Sequence, residues 1–189
     1  MIINSNVENE IIIQKSRFIT YLYRVKDKNE FELYYNILKK KYKDATHICY
    51  SYIIDNEIKF SDDKEPNGSA GIPILDVLKK NHLNYVACFV IRYFGGIKLG
   101  GAGLIRAYSN STSLCLKKTS IKEPEKIFKL QVTLSYPEIN TLENIIDAEN
   151  ILKKEFKDTI TYIILVNKEK KELLNSFHFS YILLEESYF

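Results

Sequence analysis

Five glycines fall within residues 95–103 of the stretch RYFGGIKLGGAGLIRAY, and Arg92, Lys98 and Arg106 are spaced among them. An apolar, strand-like run precedes the stretch and a helix-like run follows it. Glycines at such a junction can expose successive backbone N–H groups, and nearby cations then favour phosphate. The residues exclude the two standard nucleotide loops. Gly95 to Gly100 has GxxxxG spacing, but Gly101 and Ala102 stand where a P-loop needs its lysine and its magnesium-holding hydroxyl. A dinucleotide loop starting at Gly101 would need a third glycine where Arg106 stands. Two readings stay open. The glycines form a phosphate nest with Arg92, Lys98 and Arg106, or they supply positive φ angles and close helix–strand packing.

A second polar window, SDDKEPNGSAG (residues 61–71), raises the question of metal. Asp63, Glu65, Asn67 and Gly68 imitate the start of a calcium loop, but Ile74 occupies the place of its bidentate carboxylate. That leaves Asp62, Asp63 and Glu65 to hold magnesium, to pair with the arginines, or to serve as solvated turn residues. His47 shares a strand face with Cys49 and Ser51, a spacing open to a nucleophile–base pair or to a partly buried histidine. The sequence has no CxxC, HExxH or GxSxG, so zinc and serine-hydrolase chemistry lack support and no metal or cofactor is expected. Among 14 Tyr and 10 Phe, those bordering the glycine segment are Tyr93, Phe94 and Tyr108, where an aromatic could stack on a base.

The elements that must position these groups follow from periodicity. Residues 10–25 read as a strand, and residues 28–43 as a helix through Phe31, Tyr34, Tyr35, Leu38 and Tyr42 with lysines at its end. Residues 45–54 form a strand with EIKF as hairpin partner. A helix runs through Ile74, Val77 and Leu78. Residues 85–94 are apolar on both faces, as a doubly covered central strand requires. A helix over about 103–118 leads into a charged linker, 118–127. Strand 127–134, helix 136–148, strands 150–156 and 159–167, helix 169–176 and strand 179–185 then give a βαββαβ order. The expected fold is α+β in two domains, residues 1–120 and 125–189.

Composition narrows the class. With 189 residues, 46% hydrophobic and 27% charged, the chain is that of a folded globular protein. Its N-terminus lacks a secretory pattern, no run is long enough to span a bilayer, and three scattered cysteines suggest a reduced, cytoplasmic setting. Residues 1–122 carry 19 Lys+Arg against 12 Asp+Glu, whereas the remainder carries 8 against 12. A basic first part fits an anionic partner such as RNA, or equally a lysine-rich solvated surface.

Taken together, ATHICYSYII, SDDKEPNGSAGIPIL and VIRYFGGIKLGGAGLIRAY resemble the IMPACT/YigZ family, and the last is the most specific of the three. Lys64, Asn67 and Ser69 depart from the family's usual glycine, serine and threonine, and Gly101-Ala102 inverts its usual order. The resemblance implies an N-terminal α/β sandwich similar to the second domain of a small-subunit ribosomal protein. It also implies a ferredoxin-like C-terminal domain. Eukaryotic relatives restrain a starvation-activated kinase through an additional N-terminal module, an activity not carried over to this chain. The shared positions are His47, Asp62, Asp63, Glu65, Pro66, Gly68, Gly71, Pro73, Arg92, Tyr93, Phe94, Gly95, Gly96, Lys98, Gly100 and Arg106. We expect the acids to orient Arg92 and Arg106 in one polar site, either a buried salt-bridged brace or a site whose surplus donors bind phosphate or RNA. The expected role is non-enzymatic RNA or ribosome association in translation regulation, without sequence-specific DNA recognition. An enzyme or sensor for a phosphorylated metabolite or nucleotide is one alternative. A protein-interaction adaptor, partnered through the C-terminal domain, is another.

Overall fold

Near the N-terminus the Ile-rich stretch folds as a hairpin, not as the single strand its composition predicts. In the computed structural model, which describes residues 1–157 and 159–188, a short strand β1 (Ile2–Ile3) precedes β2 (Val7–Ile13) and β3 (Ser16–Arg24). Gln14 and Lys15 join β2 to β3 with φ of 44° and 66°, the left-handed pair that matches strand twist in a two-residue turn. Helix α1 (Lys28–Lys41) follows; Asp27 accepts from the Glu30 N–H at its start and Lys39, Lys40 and Lys41 lie against its negative end.

The chain continues through β4 (His47–Ile54), β5 (Glu57–Ser61), α2 (Gly71–Lys80), β6 (Val86–Tyr93) and α3 (Gly100–Leu116). A two-residue strand, β7 (Ile121–Lys122), pairs antiparallel with β1 inside the segment expected to be linker. The main sheet has the order β2-β3-β6-β4-β5 with every neighbour antiparallel. Strand β6 is its centre, and its alternation serves two cores. Ala87, Phe89 and Ile91 join Phe31 and Leu38 of α1, with Phe31 stacked on Phe89 at 5.3 Å. Val86, Cys88 and Val90 join the residues of α2 and α3 on the opposite face. Continuing that alternation assigns Arg92, the next residue of this second set, to the face of α2 and α3.

The chain divides into two compact units, Met1–Glu123 and Pro124–Phe189. The second unit runs β8 (Lys126–Leu134), α4 (Glu138–Ile145), β9 (Ile151–Phe156), β10 (Ile160–Asn167), α5 (Lys168–Ser176) and β11 (Ser180–Tyr188). Its antiparallel sheet has the order β11-β8-β10-β9, the ferredoxin-like arrangement of a βαββαβ chain. Leu130, Val132, Tyr162 and Ile164 pack with Leu142 of α4 and Leu174 of α5 in a core of its own. The whole is a two-domain α+β fold.

Candidate functional site

Arg92 lies near the end of β6, opposite Phe18 of β3 and His47 of β4 in the strand register. Its side chain is 5% exposed, and its guanidinium sits 5.5 Å from the Phe18 ring centre and 5.6 Å from that of Phe94. A charge so buried needs a counter-ion, and Glu65 supplies it: Arg92 Nη1 donates to Glu65 Oε1 at 2.6 Å. The same carboxylate oxygen accepts from Tyr108 Oη of α3 at 2.8 Å and lies 3.7 Å from His47 Nε2. Arg92 Nη2 donates to Ser16 Oγ at 3.3 Å, and Ser16 Oγ also accepts from the Gly95 N–H. Arg92 Nε has no partner among the described residues.

The acidic loop is held by its own carboxylates. Helix α2 has no side-chain cap from Ala70, the residue that begins it. Asp62, eight residues earlier, takes that role: its Oδ1 accepts from Ala70 and Gly71 N–H and its Oδ2 from Gly68 N–H, all within 2.8–2.9 Å. A carboxylate at a helix N-terminus also meets the positive end of the dipole. Asp63 accepts from the Ile48 N–H at 2.6 Å, and its carbonyl lies 2.7 Å from His47 Nδ1, an acceptor that fixes the proton on Nδ1. Both oxygens of Asp62 and Oδ2 of Asp63 are thus committed to backbone N–H groups, and among the described residues no metal-binding cluster of three or more His, Cys, Asp or Glu is assembled.

The glycine window divides by cause. A Cβ on Gly95 would stand 2.0 Å from the Lys15 carbonyl carbon and oxygen, so only glycine lets the loop cross the β2–β3 turn. Gly96 and Gly100 have φ of +85° and +71°. Gly101 faces open space, where a side chain would meet nothing within 4 Å. Helix α3 then begins at Gly100 with neither a side-chain cap nor an acidic residue in its first turn. Phe94, Ile97 and Lys98 are exposed on this loop, and Tyr93 Oη donates to Asp44.

The structure therefore joins His47, Glu65 and Arg92 and adds Tyr108 and Ser16. It does not bring Arg106 to the acids. Two residues on a helix are about 200° apart, so with Tyr108 pointing inward Arg106 must point outward. It is exposed, with no hydrogen bond or ion pair to another described residue. Ser16 carried no sequence mark beyond being a small polar residue at the start of an apolar strand.

Nucleophilic chemistry at Cys49 is disfavoured by its surroundings. Its thiol donates to the Asp62 carbonyl at 3.0 Å, and among the described residues His47 is hydrogen-bonded to Asp63 and not to Cys49. Burial pushes the Cys49 thiol far above its ordinary range, and the carboxylates of Glu65, Asp63 and Asp62 push the same way. Burial likewise raises the Tyr108 hydroxyl, with Cys49 and Glu65 adding to it, so Tyr108 remains a donor to Glu65. Cys88 is driven up by burial, and burial raises Cys115 to about 12.

Three outcomes follow from this geometry. Arg92→Met strands Glu65 without its cation and should cost about 3–5 kcal/mol in guanidinium unfolding, with part recovered when Glu65→Gln is added. Thiol reagent at pH 8 should leave Cys49, Cys88 and Cys115 unmodified in the native protein and label all three after unfolding; rapid native labelling of Cys49 would reveal a nucleophilic thiol. A thiol whose folded pKa is raised contributes stability that is complete below its unfolded pKa, about 8.5, and is lost above it. The melting temperature should accordingly fall between about pH 9 and the value of about 12 for Cys115, an effect reduced by Cys115→Ala measured against its own neutral-pH value.

Comparison with known proteins agrees with this architecture. Residues 14–116 match the Impact N-terminal domain. The chain is 42% identical over 151 residues to the IMPACT family member YvyE of Bacillus subtilis, covering 78% of this chain and 70% of that one. It is 32% identical to an IMPACT family member of Haemophilus influenzae, covering 87% and 83%. A solved structure described as "Crystal structure of an hypothetical protein" shares the fold with a TM-score of 0.63 and 24% identity, covering 98% and 97% of the two chains. Residues that build the Arg92–Glu65 site lie within the matched segment, and the chain belongs to the IMPACT family.

Proposed function

We propose that this protein is a non-enzymatic factor that binds RNA or the ribosome and acts in translation regulation. The observation that carries the reading is the division between what the site buries and what it exposes. Glu65, Arg92, Tyr108 and Cys49 are buried and bonded mainly to one another, and the half-buried His47 joins them at 3.7 Å from Glu65. Such a network holds a loop in place. The loop it holds offers Phe94, Lys98 and the open start of α3 to solvent, with Arg106 two turns along. An exposed aromatic beside unpaired cations suits stacking on a base and contact with phosphate. The basic excess of residues 1–122 adds long-range attraction for a polyanion. No helix among the described residues is long and apolar enough to cross a membrane.

Binding to ribosomal particles and to fluorescently labelled RNA, followed across a salt series, tests the reading. Affinity should fall with salt by roughly one log per log for each phosphate contacted, and Lys98→Ala and Arg106→Ala should each reduce that slope by about one. Absence of binding at low salt, or binding indifferent to salt, would overturn the proposal.

A further inference from the structure

Beside the braced loop lies a cleft of about 650 Å³ between the β2–β3 turn and one face of α3. Ile13 and Gln14 line it from the turn, while Leu99, Arg106, Asn110 and Ser113 line it from α3 and the residue preceding it. Their spacing of seven, four and three residues forms a single stripe along a helix. Its volume is in the range of pockets that enclose small organic ligands, about 300–1,000 Å³.

Its chemistry is selective. Ile13 and Leu99 pack their inner sides on the core, leaving an apolar wall. Asn110 and Gln14 bring carboxamides, each with donors and an acceptor, and Ser113 brings a hydroxyl. Among the described residues lining the cleft, Arg106 alone is charged, and it makes no ion pair or hydrogen bond with any described residue. One guanidinium matches a singly charged phosphodiester; a terminal phosphate, carrying nearly two charges at neutral pH, would remain undercompensated. Because Ile105, Arg106 and Asn110 leave the cleft open to solvent, a nucleotide could occupy it while remaining part of a strand.

Resting on the RNA-binding reading above, we propose that this cleft receives one unpaired nucleotide of an RNA strand. The phosphodiester lies on Arg106, the base lies against Ile13 and Leu99, and Asn110 and Gln14 meet the base edge. The inference specifies the form of the RNA: a base inside a duplex is stacked and paired, whereas an unpaired one can be turned into a pocket.

The test uses the full chain and two probes, a labelled single-stranded RNA oligonucleotide and a duplex of the same length. The unsubstituted protein should favour the single strand by about tenfold or more. Asn110→Trp fills the cleft from an exposed helical position without changing charge, so it should abolish that preference while leaving duplex binding and the melting temperature intact. Arg106→Ala should weaken both. If Asn110→Trp retains the single-strand preference, the cleft assignment is overturned and RNA binding itself survives. If a free nucleoside monophosphate raises the melting temperature in an Asn110-dependent manner and the single strand is not preferred, the cleft holds a free nucleotide and the strand assignment fails. If neither RNA binds at low salt, the RNA-binding reading fails at the preceding step.

Discussion

A charge cannot be left alone in a protein interior, and in the N-terminal unit that constraint is met by a single pair, Glu65 with Arg92. Each half comes from a different part of the chain. Arg92 extends the central strand, Glu65 hangs from the acidic loop, and the hydrogen bonds radiating from them reach α3 through Tyr108 and the hairpin turn through Ser16. Four separated segments are thereby fixed relative to one another by two side chains. Replacing such a pair with well-packed apolar residues often leaves a protein no less stable, so its value here lies in geometry. The pair specifies where the glycine loop emerges.

The acidic loop illustrates how little of a charged motif needs to be chemical. Three carboxylates in four positions invite thoughts of a metal, yet each has a separate mechanical task. Asp62 begins a helix from a distance, Asp63 ties the loop to β4, and Glu65 neutralises an arginine. These roles together hold a loop that leaves Lys98 exposed, so a rigid scaffold fixes a surface segment.

Much of this was legible beforehand because periodicity encodes burial. The doubly apolar run of β6, the aromatic stripe of α1 and the βαββαβ order of the second unit were visible, since each depends on spacing along one element. The β2–β3 turn was not, because Gln14 and Lys15 adopt positive φ without the glycine or asparagine that normally announces it. The site was half legible. Glu65 and Arg92 could be paired by charge, but the distant capping by Asp62 and the part of Ser16 depend on contacts across 8 and 76 positions, which no local pattern records. Arg106 was the opposite case: its outward direction followed from helical geometry once Tyr108 was known to be core.

The crossing of Gly95 over Lys15 has a consequence for how this region can vary. Two backbones meeting without room for a methyl group behave as one part, so the hairpin turn and the glycine loop must keep their lengths together. Surface loops ordinarily absorb insertions with little loss. Here an added residue in either segment would lift Ser16 from Gly95 and Arg92 at once, so tolerance to insertion belongs to turns such as Asp55-Asn56, away from this junction.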